Sequence, residues 1–220
     1  MSETTPVHAQ VRIAACVLFV AMLAGCSLVP KKAPLSLYSP EAHVQADPAW
    51  PTVHWQLQIP RPHASELIDS PRIVVRPADG ELQVYQGAIW AEPAPDLLLD
   101  AVLRAFEDSG RIPGVARRGS GVAGDYELVL DLRRFESDYA GGSTPSADVE
   151  VVAKLVANRA NTVVAMRTLR EKVPAQSTNV GDVSRAFETA LTNTVQQLVG
   201  WTLVEGQKYE SAHPASAATR

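Results

Sequence analysis

The chain has little cysteine and no long hydrophobic run. Both cysteines of the 220 residues, Cys16 and Cys26, lie near the amino terminus, so residues 27–220 contain no thiol pair for a disulfide framework. The formal charge is -4 at pH 7, and this mildly acidic balance speaks against nucleic acid as a partner. The longest apolar run, residues 13–24, falls short of the roughly 20 residues that a bilayer-spanning helix needs. We therefore expect no transmembrane helix.

Motifs of enzyme chemistry are also missing. No G-x-S-x-G nucleophile motif is present. Three glycines fit G-x-G-x-x-G, but they precede a predicted strand instead of opening a helix, so they predict a loop and not a dinucleotide site; they are Gly119, Gly121 and Gly124. The histidines lack the spacing of metal ligands; the ones concerned are His43, His54 and His63. We expect no enzyme activity, no metal and no cofactor.

Carboxylates along the predicted strands offer one remaining catalytic hypothesis, an acid–base pair. They alternate with apolar residues and lie near Arg133 and Arg134, which favours a solvated strand face. The residues concerned are Glu127, Asp131, Glu136, Asp138, Asp148 and Glu150.

The most informative feature that is present is the sequence Leu-Ala-Gly-Cys at residues 23–26, directly after the apolar run. The length of the run and the small residues after it predict a signal peptide over residues 1–25. The motif resembles the lipobox of bacterial lipoproteins, which implies cleavage between Gly25 and Cys26 and acylation of Cys26. Ser27 in place of Asp implies, by the sorting rule of that class, the outer membrane facing the periplasm. An ordinary secretory signal with an incidental Cys26 is the alternative.

Residues 26–51 contain five prolines and no hydrophobic periodicity, which predicts an extended periplasmic tether behind the lipidated cysteine. Pairing of Leu35, Leu37 and Tyr38 with a sheet edge is an equally good interpretation of the first part. We expect a folded domain over residues 52–204 and a disordered tail over 205–220, which is rich in alanine and serine.

The domain's hydrophobic pattern predicts an α+β fold. Apolar residues recur at helical spacing from Pro93 to Gly110 and from Asp182, the expected N-cap, to Val199. Alternation predicts strands, including a short hairpin at 81–85 and 87–90; the others are 53–59, 72–76, 126–136, 147–157 and 163–173. We expect a mixed, largely antiparallel β-sheet with two amphipathic helices packed on one face, a two-layer sandwich.

Four tryptophans divide between core and edge. Trp55 and Trp90 lie in predicted strands and are expected in the core, whereas Trp50 and Trp201 lie at domain edges. The cluster Trp90-Ala91-Glu92-Pro93 has two interpretations. It is either a structural cap, with Trp90 beneath the helix and Glu92 at its positive end, or a partner-binding epitope.

Several ordered segments together resemble the ABC-type transport auxiliary lipoproteins, the PqiC-like lipoproteins that accompany MCE-type lipid transport systems. After the lipobox come Leu-Ser-Leu-Tyr at 35–38, Asp-Ser-Pro-Arg-Ile-Val-Val-Arg at 69–76 and Trp-Ala-Glu-Pro at 90–93. The strand ending in Arg-Phe-Glu at 134–136 and the closing helix from Asp182 with Phe187 follow. Ser70 stands where the family has Arg, and 47–60 follow no pattern of the family.

The resemblance implies a non-catalytic outer-membrane component of an apparatus that moves phospholipids or other hydrophobic molecules across the periplasm. It implies an MCE-domain protein and inner-membrane ABC transporter components as partners, and it allows a homo-oligomeric ring. A pilotin or assembly lipoprotein of a secretion complex is the alternative, followed by an envelope hydrolase.

Overall fold

The computed structural model describes residues 34–213, which form one sheet and two helices. The strands are β1 (Ser36–Tyr38), β2 (Gln56–Ile59), β3 (His63–Ala64), β4 (Arg72–Arg76), β5 (Gln83–Trp90), β6 (Gly114–Arg117), β7 (Tyr126–Asp138), β8 (Ser146–Ala157) and β9 (Thr162–Pro174). The helices are α1 (Ala94–Ser109), between β5 and β6, and α2 (Val180–Ala212), after β9.

Strand β7 is the axis of the sheet. Along one side it pairs antiparallel with β8, which pairs antiparallel with β9. Along its other side three short strands, β2, β3 and β4, pair with it in parallel, one after another. β4 continues through β5 to β1, and β2 continues to β6. The longest ladders are antiparallel and the sheet is mixed, which confirms the predicted α+β class.

The hydrophobic core lies between the sheet and its two helices. Alternate residues of β7 and β8 face the helices because side chains of a strand point to opposite faces in turn. On β7 these include Leu128, Leu130 and Leu132, each at most 1% exposed. Val102 and Phe106 of α1 and Phe187 of α2 close the core from the other side, and all three are fully buried.

Helix α1 agrees with its sequence signals. It begins directly after Pro93, with a proline in its first turn, and it ends at Gly110, whose φ of 60° is left-handed. Glycine adopts this conformation without the steric cost of a Cβ, so it is the common residue at a helix end. Gly110 N–H also bonds to Glu107 O.

Two strand predictions were wrong. Residues 83–90 form one strand, not a hairpin, because β5 pairs with β4 on both sides of a bulge, and Gly87, with φ of 70°, lies within the strand. Strand β6 was missed because its four residues carry no clear alternation; it forms by parallel pairing with β2, a contact distant in sequence.

Helix α2 is longer at both ends than its periodicity predicts. It begins after Asn179, whose side chain accepts a hydrogen bond from Gly181 N–H, so Asn179 and not Asp182 is the N-cap. It continues to Ala212, so the expected disordered tail is wrong for residues 205–212. Leu203 and Gly206 are buried there, so packing against the domain continues past 204.

The folded part also begins earlier than residue 52. Strand β1 pairs with β5, with Leu37 opposite Ile89 and Tyr38 opposite Trp90, so the sheet-edge interpretation is the correct one for these residues. Trp50 is buried as well. The part of the expected tether from 34 to 51 therefore belongs to the folded domain, while Cys26 and Gly25 lie outside the described residues.

Candidate functional site

Trp90 is a core residue. It is 1% exposed and lies edge-on to Phe135, with ring centroids 5.6 Å apart, and to Phe187, at 5.0 Å. Phe135 and Phe187 also contact each other, at 4.6 Å. Three aromatic rings from β5, β7 and α2 thus meet beneath the helices, in the arrangement that aromatic quadrupoles favour. The buried position of Trp90 agrees with the structural-cap interpretation of the cluster at residues 90–93.

Glu92 and Pro93 lie at the surface end of the same segment. Glu92 is exposed and Pro93 half-buried. Pro93 O accepts hydrogen bonds from the N–H groups of Asp96 and Leu97, so Pro93 starts α1. Glu92 borders a cavity of about 120 Å³ between the segment after β1 and α1. Its charged neighbours there are Glu41, Asp100 and Arg104.

An ion-pair group centred on Arg61 shows the role of Asp69 in the Asp-Ser-Pro-Arg segment of the family resemblance. Arg61 forms two hydrogen bonds to Asp69, of 2.8 and 2.6 Å, and two to Asp96, both of 2.8 Å. Hydrogen bonding to Arg61 lowers the pKa of Asp69, and the same bonds raise the pKa of Arg61. Asp96 lies in the first turn of α1. Arg61 therefore joins Asp69, in the loop before β4, to the start of α1, and Asp69 has a structural role in this bridge.

The sheet face opposite the core carries a charge ladder: Arg76, Arg134, Glu136, Asp138, Asp148, Glu150, Arg170 and Lys172. These residues come from β4, β7, β8 and β9. Glu136 lies opposite Asp148, and Asp148 opposite Lys172, so the three side chains form one row. Adjacent carboxylates destabilise a sheet unless cations separate them, and four cations here match four carboxylates.

Three of the ladder's four carboxylates are buried, not solvated. Asp148 is 0%, Glu136 3% and Asp138 8% exposed, which corrects the predicted solvated face for these three residues. Arg170 binds Asp148 through two hydrogen bonds of 2.9 and 2.6 Å. Arg76 binds Glu136 in the same way, at 2.7 and 2.9 Å. Such bidentate pairs compensate the cost of burying charge.

Asp138 is paired with Lys172, whose Nζ lies 2.6 Å from Asp138 Oδ2. Burial alone raises the pKa of Asp138, but hydrogen bonds from Lys172 and from Ala140 N–H outweigh it and lower the pKa. A general acid needs a carboxyl group that holds its proton near the working pH. Asp138 is instead held ionised, so the geometry favours a structural role for this carboxylate.

Helix α2 is fixed to the sheet by two close approaches that were not predicted. Trp50 packs against Gly200 and Trp55 against Gly206, where an added Cβ would overlap the indole rings. Near the helix end, Tyr126 Oη donates a 2.9 Å hydrogen bond to Glu210. Burial, and next this bond, raise the pKa of Tyr126. Glycine inside a helix lowers helix stability, so the presence of glycine in the helical pattern was the sequence signal for a close approach.

The most exposed large hydrophobic side chains lie in two places. Leu35 and Leu37, 55% and 64% exposed, lie on or beside β1. Val163 and Met166, 56% and 66% exposed, lie on β9, which pairs only with β8 among residues 34–213. Among residues 34–213, no helix combines the length and the hydropathy needed to cross a bilayer.

Comparison with known proteins decides the family. The sequence model of one protein family, the ABC-type transport auxiliary lipoprotein component, matches residues 35–199, which run from the residue before β1 into α2. The chain belongs to this family. The predicted membership is confirmed, and the family is an auxiliary component of ABC-type transport.

The family fold is visible in solved structures. The crystal structure of protein XCC0632 from Xanthomonas campestris, assigned to family DUF330, is 52% identical, covers 80% of this chain and 99% of its own, and has a TM-score of 0.77. Hypothetical protein CT253 from Chlamydia trachomatis shares only the fold, at 8% identity, with coverage of 70% and 97% and a TM-score of 0.50. The uncharacterised protein bll6063 of Bradyrhizobium diazoefficiens is 25% identical over 157 residues, 71% of this chain and 42% of the relative's length.

Proposed function

We propose that this family member is a non-catalytic outer-membrane lipoprotein, anchored through Cys26, that docks the periplasmic MCE-domain partner of an ABC transport system. The cargo class is phospholipid or other hydrophobic molecules. The family match over residues 35–199 carries the transport part of the proposal. The lipobox at 23–26 supports the anchor.

The position of β1 supports close attachment to the membrane. Leu35 follows Cys26 by nine residues in the sequence. At about 3.3–3.6 Å per residue, this chain can reach roughly 30 Å at most. An acylated Cys26 would therefore keep the β1 edge near the bilayer, whereas a tether reaching residue 51 would allow the domain to stand much further away.

Strand β9 is the surface that we assign to the protein partner. It is 13 residues long, and it lies at the opposite end of the strand series from β1. An outer strand with exposed apolar side chains can pair with an added strand of another chain. Val163 and Met166 supply such side chains. With β1 near the membrane, β9 would face the periplasm, from which an MCE-type assembly approaches.

A photo-crosslinking experiment tests the docking. A photoreactive amino acid at position 166 of the full-length protein in cells should crosslink to an MCE-domain protein. The same group at position 122, another exposed apolar side chain on the loop after β6, should not. Equal crosslinking at both positions would remove β9 from the docking surface. Recovery of no MCE-type protein from detergent-solubilised envelope would overturn the proposed partner.

The proposal includes a homo-oligomeric ring of these lipoproteins around the end of the partner assembly. Native mass spectrometry of the acylated protein in detergent measures the copy number. A monomer at every concentration would remove the ring and leave the anchored docking role.

A further inference from the structure

The β1 edge carries a row of side chains whose chemistry fits a lipid surface. Leu37 lies opposite Ile89 of β5, and Ile89 opposite Arg72 of β4, so the three side chains lie side by side on one face of the sheet. Leu35, directly before β1 and two residues from Leu37, is exposed as well. This edge of the sheet thus combines two exposed leucines, a half-buried isoleucine and an exposed arginine.

This face is not the one that builds the core. Tyr38 and Trp90, the neighbours of Leu37 and Ile89 along their strands, pack into the core, so Leu37 and Ile89 point away from it. Leu37 is 64% exposed although a strand leucine normally buries its side chain. Two leucines bury only a small apolar area, so the patch is a meaningful membrane contact only where another force already holds it there.

The sequence supplies that second force. Cys26 lies nine residues before Leu35, and Lys31 and Lys32 lie between them. Interfacial protein segments combine apolar side chains that enter the acyl boundary with cations that face anionic headgroups. We propose that Leu35 and Leu37 insert into the bilayer surface next to the acylated cysteine, with Arg72 at the headgroups. This inference rests on the anchor of the proposed function and adds a second membrane contact, which would fix the orientation of the domain.

Thiol labelling of the full-length, acylated lipoprotein tests the contact. Cys16 leaves with the signal peptide and the Cys26 sulfur is acylated in the proposed form, so a cysteine introduced by Leu37→Cys is the one free thiol. The label is an environment-sensitive fluorophore, and the protein is reconstituted into vesicles of phosphatidylethanolamine and phosphatidylglycerol. Val122→Cys, exposed and on the loop after β6, a strand that joins the sheet through β2 and does not pair with β1, is the matched control.

We expect the label at position 37 to shift its emission to shorter wavelength in vesicles. Lipids with a nitroxide near the headgroup should roughly halve its intensity, because an interfacial apolar face lies ~5–10 Å into the headgroup and acyl boundary. The label at position 122 should keep its emission in water and resist these lipids. Leu35→Asp in the Leu37→Cys background should reduce the quenching.

Two results would overturn the inference. Identical, water-like emission at 37 and 122 would show that the β1 edge does not touch the membrane. A shift at position 37 without quenching by nitroxide lipids would assign the patch to contact with a second copy of this chain, the only other protein in the vesicles. Failure of the anchor is distinguishable, because the parent protein without an added cysteine would then react with the label at Cys26.

Discussion

Gly200 and Gly206 determine how closely α2 approaches the segment from Trp50 to Trp55. Helix interiors disfavour glycine by about 1 kcal/mol relative to alanine. Here the missing Cβ makes room for the two indole rings, both nearly fully buried. The residue type that weakens the isolated helix therefore stabilises its packing.

Gly200→Ala should destabilise the protein despite the better helix propensity of alanine. The new Cβ overlaps Trp50, and overpacking of a core costs about 1–3 kcal/mol. Thermal unfolding followed by circular dichroism measures the change in Tm. Gly181→Ala is the control in the same helix, since its nearest neighbour is the Asn179 side chain at 3.4 Å. A Tm for Gly200→Ala at or above that of the parent would contradict the close packing.

Glu136 alternates with apolar residues in the sequence as a surface carboxylate would, but it is buried and paired with Arg76. Glu136→Gln leaves Arg76 without its bidentate partner, and breaking a buried pair costs about 3–5 kcal/mol. Because the Arg76 side chain is 20% exposed, we expect the lower end of that range. Urea denaturation provides the free energy of unfolding.

Glu205→Gln is the matched control for this change. Glu205 pairs with Lys208 on the surface of α2, at 2.8 Å, and exposed pairs contribute about 0–1 kcal/mol. Similar losses for the two variants would mean that the charge ladder is not a buried network.

At the scale of elements, the helices and strands that were predicted correctly are those whose sequence signals lie within the element itself. Helix α1 was predicted well because its proline start, apolar spacing and glycine end all lie within the element. Strand β4 was predicted with its observed bounds from five residues of alternating and β-branched character. Strand β6 and the continuity of β5 depend on pairing with distant strands, which periodicity within one segment does not contain.

The last two turns of α2 provide an element-scale prediction. Ending the chain after Val204 removes Gly206, Tyr209 and Glu210, exposes Trp55 and breaks the bond from Tyr126. We expect a loss of about 2 kcal/mol or more from the lost burial, which lowers Tm by roughly 4–8 °C for a domain of this size. Ending the chain after His213 is the control and should leave Tm unchanged. Equal Tm values for both truncations would mean that residues 205–213 add no stability, in agreement with the shorter helix predicted from the sequence.

The contact between β7 and β9 should be sensitive to acid. The folded-state pKa of Asp138 is lowered, so its pairing with Lys172 contributes stability at a pH above the unfolded value of about 3.9. That contribution is lost as the pH falls through the folded-state pKa. Asp138→Asn should therefore lower Tm near neutral pH and flatten its decline below about pH 4.

Calorimetry at a series of pH values tests this against Asp79→Asn, a change of an exposed carboxylate in the turn before β5. The profile of Asp79→Asn should follow that of the parent. An acid profile of Asp138→Asn as steep as the parent's would assign the acid sensitivity to other groups.

At the scale of the whole molecule, the sequence predicted the class of fold, the family and the core positions of Trp55 and Trp90, but it misplaced two domain boundaries. Prolines between 34 and 51 suggested a tether, yet β1 pairs with β5 in the same segment. Prolines exclude helix and interior strands, but they do not prevent a segment from following a sheet edge. The buried carboxylates were missed for a related reason, since Arg76, Arg170 and Lys172, which pair with them, come from other strands.

The ion pairs, aromatic contacts and helix contacts described above are all formed among residues 34–213, whereas Cys26 lies before the first residue of the family match. Cys26→Ser should therefore give a protein with unchanged Tm and circular dichroism, because none of these contacts involves Cys26. In cells it should leave the membrane fraction, since stable attachment takes more than one acyl chain and the β1 patch alone offers only two leucines. Complementation of an envelope permeability defect is the functional measurement. A soluble Cys26→Ser protein that restores full activity would show that transport needs the folded domain alone and not its attachment to the membrane.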